Sequence, residues 1–164
     1  MYIFTDASVD PISKKGIGCY IIMNDLNEPF IKQNIMCTKF TDVTSTIAEL
    51  RTIKHILDEI DTNQNSKDIK DIKDNKDIYL YTDCENFVKL IDKRQHEEKI
   101  KNHRNYVWYE EIIQLVNKLK VNIIWVEGHS KQENKHEIYQ KHFAIIDKKS
   151  RKLLREYVKV DDYP

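Results

Sequence analysis

Apolar residues fall in short blocks at the start of the chain and at helical spacing after residue 44. Tyr2 to Thr5 reads as an apolar strand, followed by a turn from Asp10-Pro11 through Lys15-Gly16. Ile17 to Met23 is a second strand, Asn24-Asp25-Leu26-Asn27 a turn, and Phe30 to Cys37 a third strand, so the chain opens with an antiparallel meander. From Thr44 to Ile60 the period changes: Leu50, Ile53, Ile56, Leu57 and Ile60 form one face of a helix that Thr44, Ser45 or Thr46 can cap. Asp61 to Asp77 repeats Lys-Asp-Ile and lacks the apolar residues to build a core, so it reads as a solvated connector. Ile78 to Thr82 is a strand that leads into a helix over Cys84 to Lys93. After a basic polar segment, Tyr106 to Leu119 is helical, Val121 to Val126 a strand of buried type, and His136 to Tyr157 the closing helix. The order βββαβααβα predicts an α/β fold: a mixed sheet with helices on its faces.

With 164 residues, 40% of them hydrophobic and 33% charged, the expectation is one soluble domain over 1–164, carrying the connector at about 61–77. No apolar run approaches the length of a bilayer span, and MYIFTDAS reads as a strand rather than a cleavable leader. Cys19, Cys37 and Cys84 are odd in number and form no CxxC pair, which argues for reduced thiols and an intracellular, cytoplasmic chain. Lys148 to Arg155 is the one run that a nuclear address could use. A formal net charge of zero excludes nucleic-acid binding by bulk charge alone. Local basic clusters remain: one from Lys93 through Lys101 to Arg104, another from Lys148 to Arg155. Each also reads as the solvated face of a helix.

Four acids change the picture. Asp6, Glu49, Asp83 and Asp147 sit in or beside the apolar segments MYIFTDAS, TIAELRTI, IYLYTDCE and FAIIDKKS. A lone carboxylate there is costly to desolvate. Taken singly, each reads equally as a cap or a surface acid. Taken together, one per element along a β/α pattern, they point to a shared cation and to metal-assisted phosphoryl chemistry. If the first and fourth strands lie side by side and parallel, Asp6 and Asp83 emerge at the same sheet edge. Ala48, next to Glu49, lets the first helix approach closely.

Thr5-Asp6-Ala7-Ser8, Thr46 through Ala48-Glu49-Leu50, Thr82-Asp83 and Trp125 through Gly128-His129, in this order, resemble the motifs of type 1 ribonuclease H and its cellular and viral relatives. Phe143 to Arg155 resembles the closing helix of one subgroup. The resemblance spans essentially the whole chain. It implies a ribonuclease H-like mixed five-stranded sheet, three strands in a meander plus two parallel, with helices on both faces. It also implies an endonuclease that hydrolyses the RNA strand of RNA–DNA hybrids with two Mg²⁺ ions, which Mn²⁺ would replace. Asp6 would bridge the ions, Glu49 and Asp83 would serve the leaving-group side, and Asp147 the side that activates water. His129 would assist proton transfer, and Glu49 would sit near a ribose 2′-hydroxyl, the group that tells RNA from DNA. Thr44 falls where the family places a threonine on a DNA phosphate, and Ser45 and Thr46 share that helix start. Lys101, Arg104 and Trp108 fall in a shortened version of the family's basic protrusion, although Trp108 reads equally as core. The expected partner is the hybrid, acted on by a monomer without a membrane or an obligate protein partner. The abundance of Lys, Asn and Ile suggests an AT-rich genome, cellular or viral.

The chain also departs from the family pattern. The hairpin from Asp10 to Gly16 has little glycine, and Glu85 stands where many relatives carry glutamine. His129 and Asp147 are 18 positions apart (147 − 129), longer than usual, which makes Glu137 a rival for the fourth ligand. The apolar run Phe143–Ile146 beside Asp147 favours the latter. A junction resolvase or another DNA nuclease on the same fold is the alternative enzyme. A proofreading exonuclease is disfavoured because Ser8 stands where its second acid would be. A non-catalytic nucleic-acid-binding module is disfavoured because all four acids are present.

Overall fold

The computed structural model describes residues 1–65, 77–103, 105–128 and 137–159. Five strands form one sheet: β1 (Tyr2–Val9), β2 (Gly16–Met23), β3 (Met36–Phe40), β4 (Ile78–Thr82) and β5 (Val121–Trp125), in the order β3-β2-β1-β4-β5. The β1–β2 and β2–β3 pairs are antiparallel, and β1–β4 and β4–β5 are parallel. The helices are α1 (Ser45–Asn65), α2 (Glu85–Asp92), α3 (Tyr106–Leu119) and α4 (Ile138–Lys159).

Alternation along β1 divides the core in two. Ile3 turns to one face, where it packs with Leu50, Ile53 and Leu57 of α1, Phe87 of α2 and Ile112 of α3. Phe4 turns to the other, where it packs with Ile17, Cys19 and Ile21 of β2, Tyr81 of β4, and Phe143 and Ile146 of α4. Helices therefore cover both faces, as the sequence pattern predicts. Lys54 ties α1 to α3 through Glu111 at 3.4 Å, and Lys118 of α3 reaches Asp61 at 2.6 Å.

Close approach of α1 to the sheet depends on small residues. Ala48 packs against Ala7 and Val43. A Cβ on Gly18 would stand 1.9 Å from Thr52 Oγ1 and 3.0 Å from Phe40, so only glycine fits under the helix there.

Several expectations are corrected. The third strand is Met36–Phe40, not Phe30 to Cys37, and a short 3₁₀ turn occupies Lys32–Asn34. Phe30 is apolar for another reason: it stacks on His142 of α4 at 5.0 Å. The first helix runs on to Asn65, so Asp61 belongs to it and holds Lys118. The rest of the expected connector, 66–76, lies outside the described residues. β5 is an edge strand rather than a buried one, with Trp125 51% exposed. Cys19 and Cys37, expected as free thiols, form a disulfide. They are directly opposite on β2 and β3, a pairing that sequence spacing does not reveal because strand register sets it.

Gly18→Ala should cost about 1–3 kcal/mol, as overpacking does. Urea unfolding of Gly18→Ala with and without Thr52→Ala checks this: the second change removes the colliding hydroxyl and should return part of the loss.

Candidate active site

The sheet register places two of the acids. Phe4 pairs with Tyr81 across parallel β1 and β4. Two residues beyond that pair in each strand direction lie Asp6, inside β1, and Asp83, just past the end of β4. Asp6 is still within β1 and 4% exposed, and Asp83 follows β4 directly. Glu49 enters from the first turns of α1, 5% exposed, and its Oε1 accepts the Ala7 N–H at 2.9 Å. One carboxylate oxygen from each of Asp6, Glu49 and Asp83 lies within 4.8 Å of the others.

Asp147 comes from the middle of α4, buried at 7% exposure, and its Oδ2 accepts a bond from Arg151 one turn on. All four acids line one cleft of about 480 Å³, with Ser8, Ser45, Thr46, Glu85, Asn86 and Arg151 among the other walls. Glu137, the rival for the fourth position, is exposed before the start of α4 and is not part of this lining.

The electrostatics match the crowding. Burial pushes the Asp6 carboxyl up to about 7, and the charges of Asp83 and Asp147 push the same way. The Ser150 hydroxyl and the Arg151 guanidinium pull it back. Glu49 is raised well above the ordinary carboxylate range, first by burial and then by Asp6 and Asp83. The second oxygen of Glu49, Oε2, is buried without a hydrogen-bond partner among the described residues. An orphaned carboxylate oxygen facing two other carboxylates is a donor set for a hard divalent cation. All the donors are oxygens, which suits Mg²⁺ or Mn²⁺ and not a thiolate-loving ion. The thiol in this cleft, Cys84, is pushed up to about 12, chiefly by burial.

Gly128, which precedes the expected His129, is fitted to this cluster. A Cβ there would fall 2.2 Å from Asp83 Oδ2 and 3.2 Å from Asp83 Cβ. The loop after β5 therefore backs directly onto the Asp83 side chain. His129 itself and Arg104 lie outside the described residues.

The other expected contacts divide. Ser45 and Thr46 line the cleft, and Asn86 Nδ2 of α2 donates to Thr46 Oγ1 at 3.1 Å. Thr44 is exposed at the helix start, its carbonyl accepting the Ala48 N–H at 2.9 Å. Lys101 is exposed in a 3₁₀ turn over Glu98–Asn102, away from the cleft lining. Trp108 is 39% exposed, outside the buried set of α3, and packs beneath the Arg51 guanidinium at 5.5 Å, so it is not a core residue. Glu85 pairs with Lys89 at 2.6 Å, which tempers its charge at the cleft wall. Sequence reasoning missed Asn86, Ser150 and Arg151 as parts of the site. Arg151 was legible from its i,i+4 spacing to Asp147. Nothing local marks Ser150, because its partners lie on β1.

A cleft floored by buried carboxylates beside two parallel strands is the kind of site that metal-assisted phosphoryl chemistry uses. The sequence model of the RNase H family matches residues 1–138, and the chain belongs to that family. The match ends at the start of α4, so the case for Asp147 rests on its place in the cleft. Among solved structures, the chain resembles a prototype foamy virus protease–reverse transcriptase at a TM-score of 0.67 and 15% identity. That likeness covers 93% of this chain and 20% of the other. It also resembles LC9-RNase H1, described as a type 1 RNase H with the type 2 active-site motif. There the TM-score is 0.59 and the identity 17%, covering 86% of this chain and 68% of the other. The chain thus spans about a fifth of the foamy virus protein that it resembles. No curated protein matches the sequence significantly. Among the described residues, no helix is long and apolar enough to cross a membrane.

A pH dependence follows from the raised carboxyls. Asp6 titrates near 3.8 when unfolded and near 7 when folded, so between these values the folded state holds more protons. Without metal, this group's contribution to stability is complete below about pH 4 and is lost as pH rises through about 7. In EDTA, Tm at pH 8 relative to pH 5 should therefore rise in Asp6→Asn compared with the wild type. Mg²⁺ should recover the wild-type loss at pH 8 by binding only the folded state. Calorimetry at the two pH values checks both statements.

Proposed function

We propose that this domain hydrolyses the RNA strand of RNA–DNA hybrids, and that its carboxylate cluster holds two Mg²⁺ ions, with Mn²⁺ as substitute. The observation that carries the reading is the convergence of Asp6, Glu49 and Asp83 within 4.8 Å, with Glu49 Oε2 buried and unpartnered among the described residues. Membership of a family that depends on divalent metals supports it.

In this reading Asp6, Glu49, Asp83 and Asp147 would hold the ions, Glu49 and Asp83 serving the leaving-group side, Asp147 the side that activates water, and Asp6 both. When bound, the ions supply Lewis-acid activation of water and neutralise charge on the departing oxygen. The remaining work falls to the chain. Three of its four acids sit on β1, α1 and α4 and the fourth, Asp83, directly follows β4, so the cluster is preorganised on rigid elements. Glu49, held by the Ala7 N–H, faces the cleft where a ribose 2′-hydroxyl would lie, which gives the choice of RNA over DNA. Ser45, Thr46 and Asn86 offer neutral hydroxyl and amide donors along the wall for the nucleic-acid backbone. Thr44, at the exposed start of α1, would take a DNA phosphate. Lys101, Arg104 and Trp108 would extend the contact beyond the cleft through charge and stacking. His129 would carry a proton to or from the reacting phosphate.

The test is cleavage of a labelled RNA–DNA hybrid against duplex DNA and duplex RNA, in Mg²⁺ and in EDTA. The reading expects RNA cleavage in the hybrid alone, and only with the metal. Cleavage of branched or duplex DNA instead would move the domain to the resolvase class.

The fourth ligand is tested separately. Asp147→Asn should lower the rate severely in Mg²⁺ with partial recovery in Mn²⁺, which binds weakened oxygen sites more tightly. Glu137→Gln should change it only a few-fold. Steady-state rates of the two variants under both metals decide between them.

A further inference from the structure

Ser150 lies on the inner face of α4, fully buried, one turn after Asp147. Its Oγ is placed for three hydrogen bonds. It bonds Asp6 Oδ2, the Asp147 main-chain carbonyl at 2.9 Å and Ser8 Oγ at 2.9 Å. A hydroxyl carries one proton and two lone pairs. In the ionised form that binds a cation, the Asp6 carboxylate only accepts, as the carbonyl does, so they compete for that proton. A charge-assisted bond is about twice as strong as a neutral one, and the proton therefore goes to Asp6. Ser8 must then be the donor to Ser150. The result is a directed relay, Ser8 to Ser150 to Asp6, that leaves β1, crosses to α4 and returns to β1.

We propose that Ser150 is a positioning residue for the metal centre. Its bond engages one lone pair of Asp6 Oδ2 and fixes the rotation of that carboxylate. The same hydroxyl ties α4 to β1 one turn from Asp147, so a single bond sets the spacing between Asp6 and the acid opposite it. Ser8 orients the hydroxyl by donating into it. The inference rests on the reading of Asp6 as a cation ligand.

The test measures Mn²⁺ binding by electron paramagnetic resonance of the free ion, which needs no substrate. Wild type, Ser150→Ala, Ser8→Ala and the double variant are compared, with thermal unfolding of each in EDTA. Ser150→Ala should weaken Mn²⁺ binding about tenfold, the usual size for a group that orients a ligand. Hybrid cleavage in Mg²⁺ below saturation should show the loss in kcat, with KM for the hybrid unchanged. Ser8→Ala should show a smaller loss, and the double variant should be no worse than Ser150→Ala alone, because the two hydroxyls act in series. Ser150→Ala with wild-type Mn²⁺ affinity would overturn the proposal, as would a lower Tm with affinity unchanged, the mark of a merely structural role. If Ser150→Ala fails to fold, Ser8→Ala decides, and wild-type affinity in that variant overturns the relay. A wild-type protein that binds no Mn²⁺ would overturn the metal reading and this proposal together, whereas binding unchanged by either substitution defeats this proposal alone.

Discussion

The fold holds three carboxylates closer together than their charges allow. Asp6, Glu49 and Asp83 converge within 4.8 Å, and burial raises Asp6 and Glu49 far above ordinary carboxyls. Two unit charges about 4 Å apart repel by about 4 kcal/mol at an effective dielectric of 20. The metal-free protein meets this cost by partial protonation and by a few donors: the Ala7 N–H on Glu49, the Ser150 hydroxyl on Asp6, and the Arg151 guanidinium on Asp147. Among the described residues, these donors leave Glu49 Oε2 unsatisfied. A divalent cation relieves the same repulsion more fully, so metal binding and the stability of this corner of the fold are one problem.

The architecture makes the convergence possible. Parallel pairing of β1 with β4 levels Asp6 with Asp83, and a change of one residue in that register would turn Asp83 to the opposite face. Gly18 and Ala48 bring α1 down onto the sheet far enough for Glu49 to reach the Ala7 N–H. Gly128 leaves the space that the Asp83 carboxylate fills. The apolar face of α4, through Phe143 and Ile146, docks the helix so that Asp147 and Ser150 face the cluster. Small residues thus set distances, and large apolar ones supply the rigidity that keeps charged groups where they would not gather alone.

Much of this was legible in the chain. The acids stood out because each breaks an apolar block, and the helical period after residue 44 located α1 and α3 well. The order of elements allowed the β1–β4 adjacency, and the structure shows it. What was missed depended on contacts between distant segments. Phe30 was apolar for packing on His142, not for a strand, and local pattern cannot separate those two uses. The Cys19–Cys37 bond needs the β2–β3 register. β5 looks buried by composition, but its place at the sheet edge is a topological fact. Ser150 carries no signal of its own, since a serine inside a charged helix becomes informative only when Asp6 is found beside it.

The most direct test of the central claim is to find the ions. Anomalous diffraction from crystals of the protein soaked in Mn²⁺ locates them without reference to activity. The account predicts a peak contacted by oxygens of Asp6, Glu49 and Asp83, and a second reached by Asp6 and Asp147. No peak at the cluster, or one held by groups elsewhere on the surface, would contradict it.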